Sequence, residues 1–412
     1  MYETFFYHKE FLKKFTETIQ SALFDSRLHL REILTFVSMG QKRVYMTVSS
    51  DLATDNRVHR TCTVLEELGF QVFLCGRQKK NSPQMPARSY QVNRLKLKFE
   101  KGALFYAELN IRFFWKLLFS QCDYIFSNDL DTLPAAYLVS RLKRKPLLYD
   151  SHELFTEVPE LVSRPRIQAI WKSLEQRMLP HIKEMITVND SIADIFNRIY
   201  RIPVTVVRNV PQRQEQLIAL SREELDLKPT QKMLIIQGSG LNVQRGIEEA
   251  VLAMEFIDDA VLFLVGDGDV IPSVKKLVSA KNLQEKVRFV GRLPYRELLQ
   301  YTAAADLGLA LDKPLSQNYA LALPNKVFDY IQAHTPILSS PLVEIEKLIR
   351  KYDCGEIIHE VTPEAIAQKV NVVLSNPQRL TDLKENCKKA AIIEHWDSDK
   401  QKLAEVVGRV FG

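Results

Sequence analysis

The sequence predicts an α/β protein built from two doubly wound parallel-sheet domains behind a helical amino-terminal extension, and three observations carry that expectation. At 412 residues the chain exceeds what one hydrophobic core serves comfortably, so two domains of ordinary size are expected. Short continuous apolar runs alternate with stretches of helical spacing from Arg43 to Ile358, the pattern of parallel strands covered on both faces. Glycine-bearing turns follow several of these runs, at the strand ends where doubly wound sheets gather ligand groups.

Composition narrows the class of protein. A hydrophobic share of 46% and a charged share of 26% are those of a soluble globular chain. No apolar run approaches the ~20 residues of a membrane-spanning helix. Met1-Tyr2-Glu3-Thr4 lacks the basic start and apolar core of a signal peptide. The five cysteines (Cys62, Cys75, Cys122, Cys354, Cys387) are scattered and odd in number, which argues against a disulfide framework and a zinc site and fits a reducing cytosol. A formal charge of +6 favours anionic partners weakly and is far from a nucleic-acid signature.

Residues 1–41 read as a helical extension in which Phe5, Phe6, Phe11 and Phe15 interleave with Lys9, Lys13 and Lys14. That mixture suits an anionic headgroup layer, and it suits equally a helix packed on the domain behind it. From Lys42 a strand (Arg43 to Val48), a turn (Ser49 to Asn56), a helix carrying Val58, Leu65 and Leu68, and a second strand (Gln71 to Cys75) form a β-α-β start. Arg77 to Lys101 reads as a variable basic stretch. The helix from Ala103 to Phe119 is unusually aromatic, a core helix with an alternative as a lipid-touching face. Strands at Tyr124 to Ser127, Pro146 to Tyr149, Met185 to Val188 and Val204 to Val207 continue the pattern, with helices at Thr132 to Arg141 and Arg164 to Leu179. Asp129-Leu130-Asp131 is expected to cap a helix rather than bind metal, and Asp190 or Ser191 to cap the next. His152 follows a buried strand at its carboxyl end and is a candidate for chemistry.

Gln212 to Thr230 is a polar connection into the second domain, whose first strand, Met233 to Ile236, leads into Gly238-Ser239-Gly240 and then Arg245-Gly246. Ile247, Ala250, Val251 and Met254 form one apolar stripe of the following helix. Backbone N–H groups, the positive helix end and the Arg245 guanidinium converge there, which makes an anion site suited to a diphosphate. No Gly-Lys-Ser/Thr follows, and Val243 stands where a dinucleotide fingerprint needs its third glycine. Strands recur at Val261 to Val265, Val287 to Val290, Leu307 to Ala310, Pro336 to Leu338 and Gly355 to Ile358. A helix starting near Asn325 offers a second anion site, with Lys326 beside it and Asp329 one turn in, within reach of a ribose hydroxyl pair. Trp396 anchors a terminal helix.

Six segments in this order resemble the retaining family 4 glycosyltransferases of GT-B fold: Asn128 to Leu133, Tyr149 to Phe155, Gly246-Ile247-Glu248 after a basic residue, Val265 to Gly268, Phe289 to Gly291 and Leu323 to Tyr330. The resemblance covers about residues 42–400. It implies two Rossmann-like domains facing each other across a cleft, an acceptor-binding one at 42–212 and a nucleotide-sugar-binding one at 213–392, with a terminal helix at 393–412 returning toward the first. It further implies that Arg245 neutralises the donor diphosphate, that Asn325 and Lys326 hold phosphate, and that Asp329 stands at the ribose-binding glutamate of the family's Glu-x7-Glu motif. Arg292 and Leu293 fall on the loop bordering the base, with a UDP-sugar favoured over a GDP-sugar. His152 matches the histidine near the reacting centre of a front-face displacement that requires no metal or other cofactor. A glycan or lipid-linked glycan precursor at the inner face of the cell membrane is the implied acceptor.

Three departures stand out. Leu321 replaces the first motif glutamate and cannot hydrogen-bond a sugar, which leaves Asn318 as a substitute. Asp329 shortens the second glutamate. Ser239 occupies the place of a second phosphate-binding arginine, whose charge Lys326 could supply. Two other functions share this architecture: a nucleotide-sugar 2-epimerase, for which Glu153 is the available carboxylate, and a degenerate partner subunit that binds without turnover.

Overall fold

The computed structural model describes residues 41–238 and 240–412. The expected helical extension lies outside the described residues apart from its last position, and so does Ser239.

Two separate parallel sheets organise the chain. The first holds β1 (Arg43–Asp51), β2 (Gln71–Gln78), β3 (Gln91–Lys96), β4 (Tyr124–Asn128), β5 (Leu147–Ser151), β6 (Met185–Thr187) and β7 (Val204–Val206), in the order β3-β2-β1-β4-β5-β6-β7. The second holds β8 (Lys232–Gly238), β9 (Ala260–Gly266), β10 (Val287–Gly291), β11 (Leu307–Ala310), β12 (Ile337–Ser339) and β13 (Gly355–Ile357), in the order β10-β9-β8-β11-β12-β13. Strand order reverses beside β1 and beside β8, so each sheet has a crevice at the carboxyl ends of its central strands. Central strands are fully covered: all five residues of β4 and of β5 are buried, which is why they read as unbroken apolar or small-polar runs.

The stretch from Arg77 to Lys101, expected to be variable, contains β3. Its residues Gln91, Asn93 and Lys96 stay solvent-facing or partly so because the strand is a sheet edge, and only Leu95 is buried. A polar edge strand carries little of the apolar signal that marks the others.

The helices that position the site are α1 (Asn56–Glu67), α2 (Gly102–Phe119), α3 (Leu133–Lys143), α4 (Pro165–Met178), α5 (Asp190–Tyr200), α6 (Ile247–Ala253), α7 (Asn325–Gln332) and α8 (Trp396–Phe411). The cap of α5 is Asn189, whose Oδ1 accepts from Ile192 N at 2.9 Å, and not Asp190 or Ser191. Helix α8 packs on the first domain: Phe411 stacks on Tyr124 with centroids 4.5 Å apart, and Arg409 pairs with Glu184 at 2.6 Å. Between the domains, Asn189 Nδ2 donates to the Leu321 carbonyl at 2.8 Å and Ser191 Oγ to Glu344 Oε1 at 2.6 Å. Among the described residues, no helix is long and apolar enough to cross a membrane.

Candidate active site

The carboxyl ends of the two sheets face each other across a cleft of about 620 Å³, lined on one side by Arg57, His152, Glu153 and Asn189 and on the other by Arg245, Asn318, Tyr319 and Asn325. Each of these side chains sits on a loop after a central strand or in the first turns of a helix.

His152 is placed by a sharp exchange between the loops after β4 and β5. Asp129 takes a left-handed backbone with φ of 59°, donates its N–H to the Asp150 carbonyl at 2.8 Å, and turns its carboxylate onto His152. Asp129 Oδ1 accepts from the His152 N–H at 2.8 Å, and Oδ2 lies 3.1 Å from Nδ1. Asp129 is therefore an orienting group for the histidine and not a helix cap. The residue at the cap of α3 is Thr132, which makes no side-chain capping bond. On the far side of the ring, Nε2 lies 3.4 Å from Asp150 Oδ2. Burial pushes the imidazole's pKa down, but the Asp129 and Asp150 carboxylates outweigh it and hold the ring well above the ordinary histidine range. Both ring nitrogens face carboxylates, an arrangement that favours the protonated imidazole.

Asp150 is itself compensated. Arg57, in the first turn of α1, clasps it with Nη2 to Oδ1 at 2.7 Å and Nε to Oδ2 at 3.1 Å, and spends Nη1 on the Val207 carbonyl at 2.8 Å. Burial raises the Asp150 carboxyl, and the Arg57 and His152 charges overcome that and hold it below the usual carboxylate range. Arg57 escapes a motif search. Its sequence signal is its place on the buried face of α1, four residues before buried Thr61.

The opposite wall is organised by Asp312, which follows β11 and is 2% exposed. Arg245 Nη1 lies 2.5 Å from Asp312 Oδ1, and Lys326 Nζ lies 2.9 Å from Oδ2. The Arg245 guanidinium also covers the Tyr319 ring, 5.0 Å from its centroid. Burial raises the Asp312 carboxyl, whereas Lys326 and Arg245 together hold it below its ordinary value. Two cations thus share one carboxylate, which leaves an uncompensated positive charge beside the amino end of α7. Gly246 makes the approach feasible: its φ is 71°, and a Cβ there would come within 2.5 Å of Leu311.

The remaining candidates divide. Asn325 lines the cleft, whereas Gly238, Gly240, Lys326, Asp329, Arg292 and Leu293 do not. Lys326 reaches the site through Asp312. The Asp329 carboxylate accepts from Tyr295 Oη at 2.7 Å and Gln237 Nε2 at 3.2 Å, and burial pushes its pKa up to about 6. Arg292 is exposed and pairs loosely with Asp267 at 3.4 Å, and Leu293 packs against the core. Leu321 packs against the apolar cluster of the first domain, so the missing glutamate has become an interdomain contact. Asn318 spans the same interface, accepting from Leu154 N at 2.9 Å and donating to Glu153 Oε2 at 3.0 Å. Glu153 is raised to about 7, chiefly by burial and then by Asp129.

Two doubly wound domains thus face each other across a cleft with Arg245 and Lys326 on one wall and His152 on the other. Residues 55–210 match the model of Glycosyltransferase Family 4 and residues 219–391 that of Glycosyl transferases group 1. The chain belongs to the family 4-like glycosyltransferases. Among solved structures, it is similar to sucrose-phosphate synthase from Thermosynechococcus elongatus, 16% identical, with 90% of this chain and 99% of that one covered at a TM-score of 0.74. Anabaena HepE in complex with UDP and glucose is 14% identical over 89% of this chain and 100% of that one, at 0.67. A putative UDP-N-acetylglucosamine 2-epimerase from Listeria monocytogenes is 12% identical over 90% and 97%, at 0.62. At these identities the likeness is one of fold. No curated protein matches the chain in sequence.

Proposed function

We propose that this enzyme transfers a hexose, with retention of configuration, from a nucleoside diphosphate sugar to a glycan or lipid-linked glycan precursor at the cytoplasmic face of the membrane. The observation that carries the reading is the pair of cations on Asp312, with the amino end of α7 beside them and the His152 imidazolium across the same cleft. A diphosphate seated there meets charge-assisted donors as it leaves the sugar, when its negative charge is greatest. UDP is favoured as the base-bearing half, since the similarly folded HepE binds UDP.

In the proposed step, the bond from the anomeric carbon to the diphosphate oxygen breaks while the acceptor oxygen bonds to that carbon on the same face. A donor phosphate oxygen takes the acceptor proton. Arg245 and Lys326 stabilise the departing diphosphate, His152 contributes its ring and charge to the opposite wall while Asp129 and Asp150 occupy its two nitrogens, and the chain's main work is positioning. These side chains supply the charge, so the reading calls for no metal.

Glu153 favours a second reading. A carboxyl whose pKa reaches about 7 beside the donor cleft could move a proton on the sugar ring, as a 2-epimerase needs. One product analysis separates the two. UDP-glucose and UDP-N-acetylglucosamine are incubated with the protein, with and without a glycoside acceptor, and the products are resolved by proton NMR. An α-linked glycoside formed only with acceptor supports transfer; a C2-inverted nucleotide-sugar formed without acceptor replaces it with epimerisation.

A further inference from the structure

A second cavity, of about 700 Å³, lies between α2, the short helix Pro159–Val162 and α4. It adjoins the cleft described above, since Glu153 and Tyr319 line both. Its walls differ in kind from those of the cleft. Phe155, Trp171 and Leu174 form the inner part, and Ala107 and Ile170 lie toward solvent, the latter 60% exposed. Asn110, on the α2 wall, spends both amide hydrogens within the protein. Asn110 donates to the carbonyls of Tyr106 at 2.9 Å and Asp131 at 2.8 Å and accepts from Ala135 N at 3.1 Å. Glu160 and Arg164 add polar groups to the lining, and the surface of Phe155, Trp171, Leu174 and Ile170 is where a hydrocarbon chain would lose only unfavourable hydration.

We propose that this groove seats the hydrocarbon tail of a lipid-linked acceptor, with the acceptor hydroxyl at the inner end between Glu153 and Tyr319, beside the donor cleft. The proposal rests on the glycosyl-transfer reading above for what lies at that inner end. A free glycan acceptor would leave the groove unused. The open rim at Ile167 and Ile170 lets a chain longer than the groove run out of it.

Isothermal titration of the full chain with octyl β-D-glucoside, below its micellar concentration, and with methyl β-D-glucoside tests this directly. Burying each methylene strengthens binding about fourfold, so octyl glucoside should bind at least about tenfold more tightly than methyl glucoside even if only part of the tail is covered. Ala107→Trp, which fills the groove from an exposed position, should abolish that preference, and Ile170→Gln should weaken it about threefold or more. Equal affinity for the two glucosides overturns the proposal. So does an octyl preference that survives Ala107→Trp and disappears in Trp115→Ser, because Trp115 lies on the exposed outer face of α2, stacked on Phe119. UDP titration of the same samples keeps the two readings apart: Ala107→Trp should leave UDP binding unchanged, and wild-type protein that prefers octyl glucoside but ignores UDP sinks the donor reading alone.

Discussion

The two walls of the cleft handle charge in opposite ways. On the first domain, His152 lies between Asp129 and Asp150, and Asp150 is held by Arg57, so each charge is answered from within the wall. On the second domain, Arg245 and Lys326 have a single carboxylate between them. A neutralised, rigid wall holds an imidazolium at a fixed angle whether or not substrate is present. A wall with excess positive charge is incomplete until an anion arrives. On the proposed function, the difference would give recruitment of the donor to the second domain and orientation of the reacting centre to the first, in keeping with the preorganisation that electrostatic catalysis needs.

The comparison can be broken from the first-domain side, where the largest effect is expected. Asp150→Ala strands the Arg57 guanidinium in the interior and should cost about 3–5 kcal/mol of stability in denaturant unfolding. Replacing both partners together, Arg57→Met with Asp150→Leu, should recover most of that. A single-variant cost below about 1 kcal/mol would mean that water reaches the pair and the wall is not self-contained.

A smaller effect sharpens the role of Asp129. Its carboxylate is the stronger of the two that raise His152, so Asp129→Asn should lower the imidazole midpoint read by NMR. The sign for stability follows. A histidine whose folded pKa lies above its unfolded value of 6.5 stabilises the fold fully below pH 6.5 and loses that contribution as pH rises through the folded midpoint. The variant should therefore differ from wild type most below pH 6.5 and least at high pH. An unchanged midpoint would assign the raised pKa to Asp150 alone. The smallest effect is expected at Arg292, whose ion pair is exposed: Arg292→Ala should change donor KM by less than about twofold. A tenfold rise would show that its loop closes on the base after all.

Much of the fold was legible because parallel sheets buried on both faces write themselves as apolar runs, and β4, β5, β8 and β9 do so plainly. Edge strand β3 does not, since its exposed positions carry Gln91, Asn93 and Lys96. At the site, the loops were readable and the pairings were not. Arg245 and His152 announce themselves by following strands, yet nothing local says that Asp312 joins Arg245 to Lys326 across 67 and 14 positions of chain. Asp129 looks like a cap because a short carboxylate pair before a helix has the same spelling as a turn that reaches over to the next strand's loop. At Asp329 the position follows the family pattern, while its partners Tyr295 and Gln237, distant in sequence, have no local signal.

The most direct test of the account is the thermal shift of the protein with UDP, GDP, ADP or CMP, in wild type and in Arg245→Ala. A ligand that binds only the folded state at a hundred times its Kd adds about 2.7 kcal/mol of stability. The account predicts selective stabilisation by one nucleoside diphosphate, UDP first, that is lost in Arg245→Ala and kept in His152→Ala. An equal shift in wild type and Arg245→Ala, or no shift with any nucleotide, would contradict it.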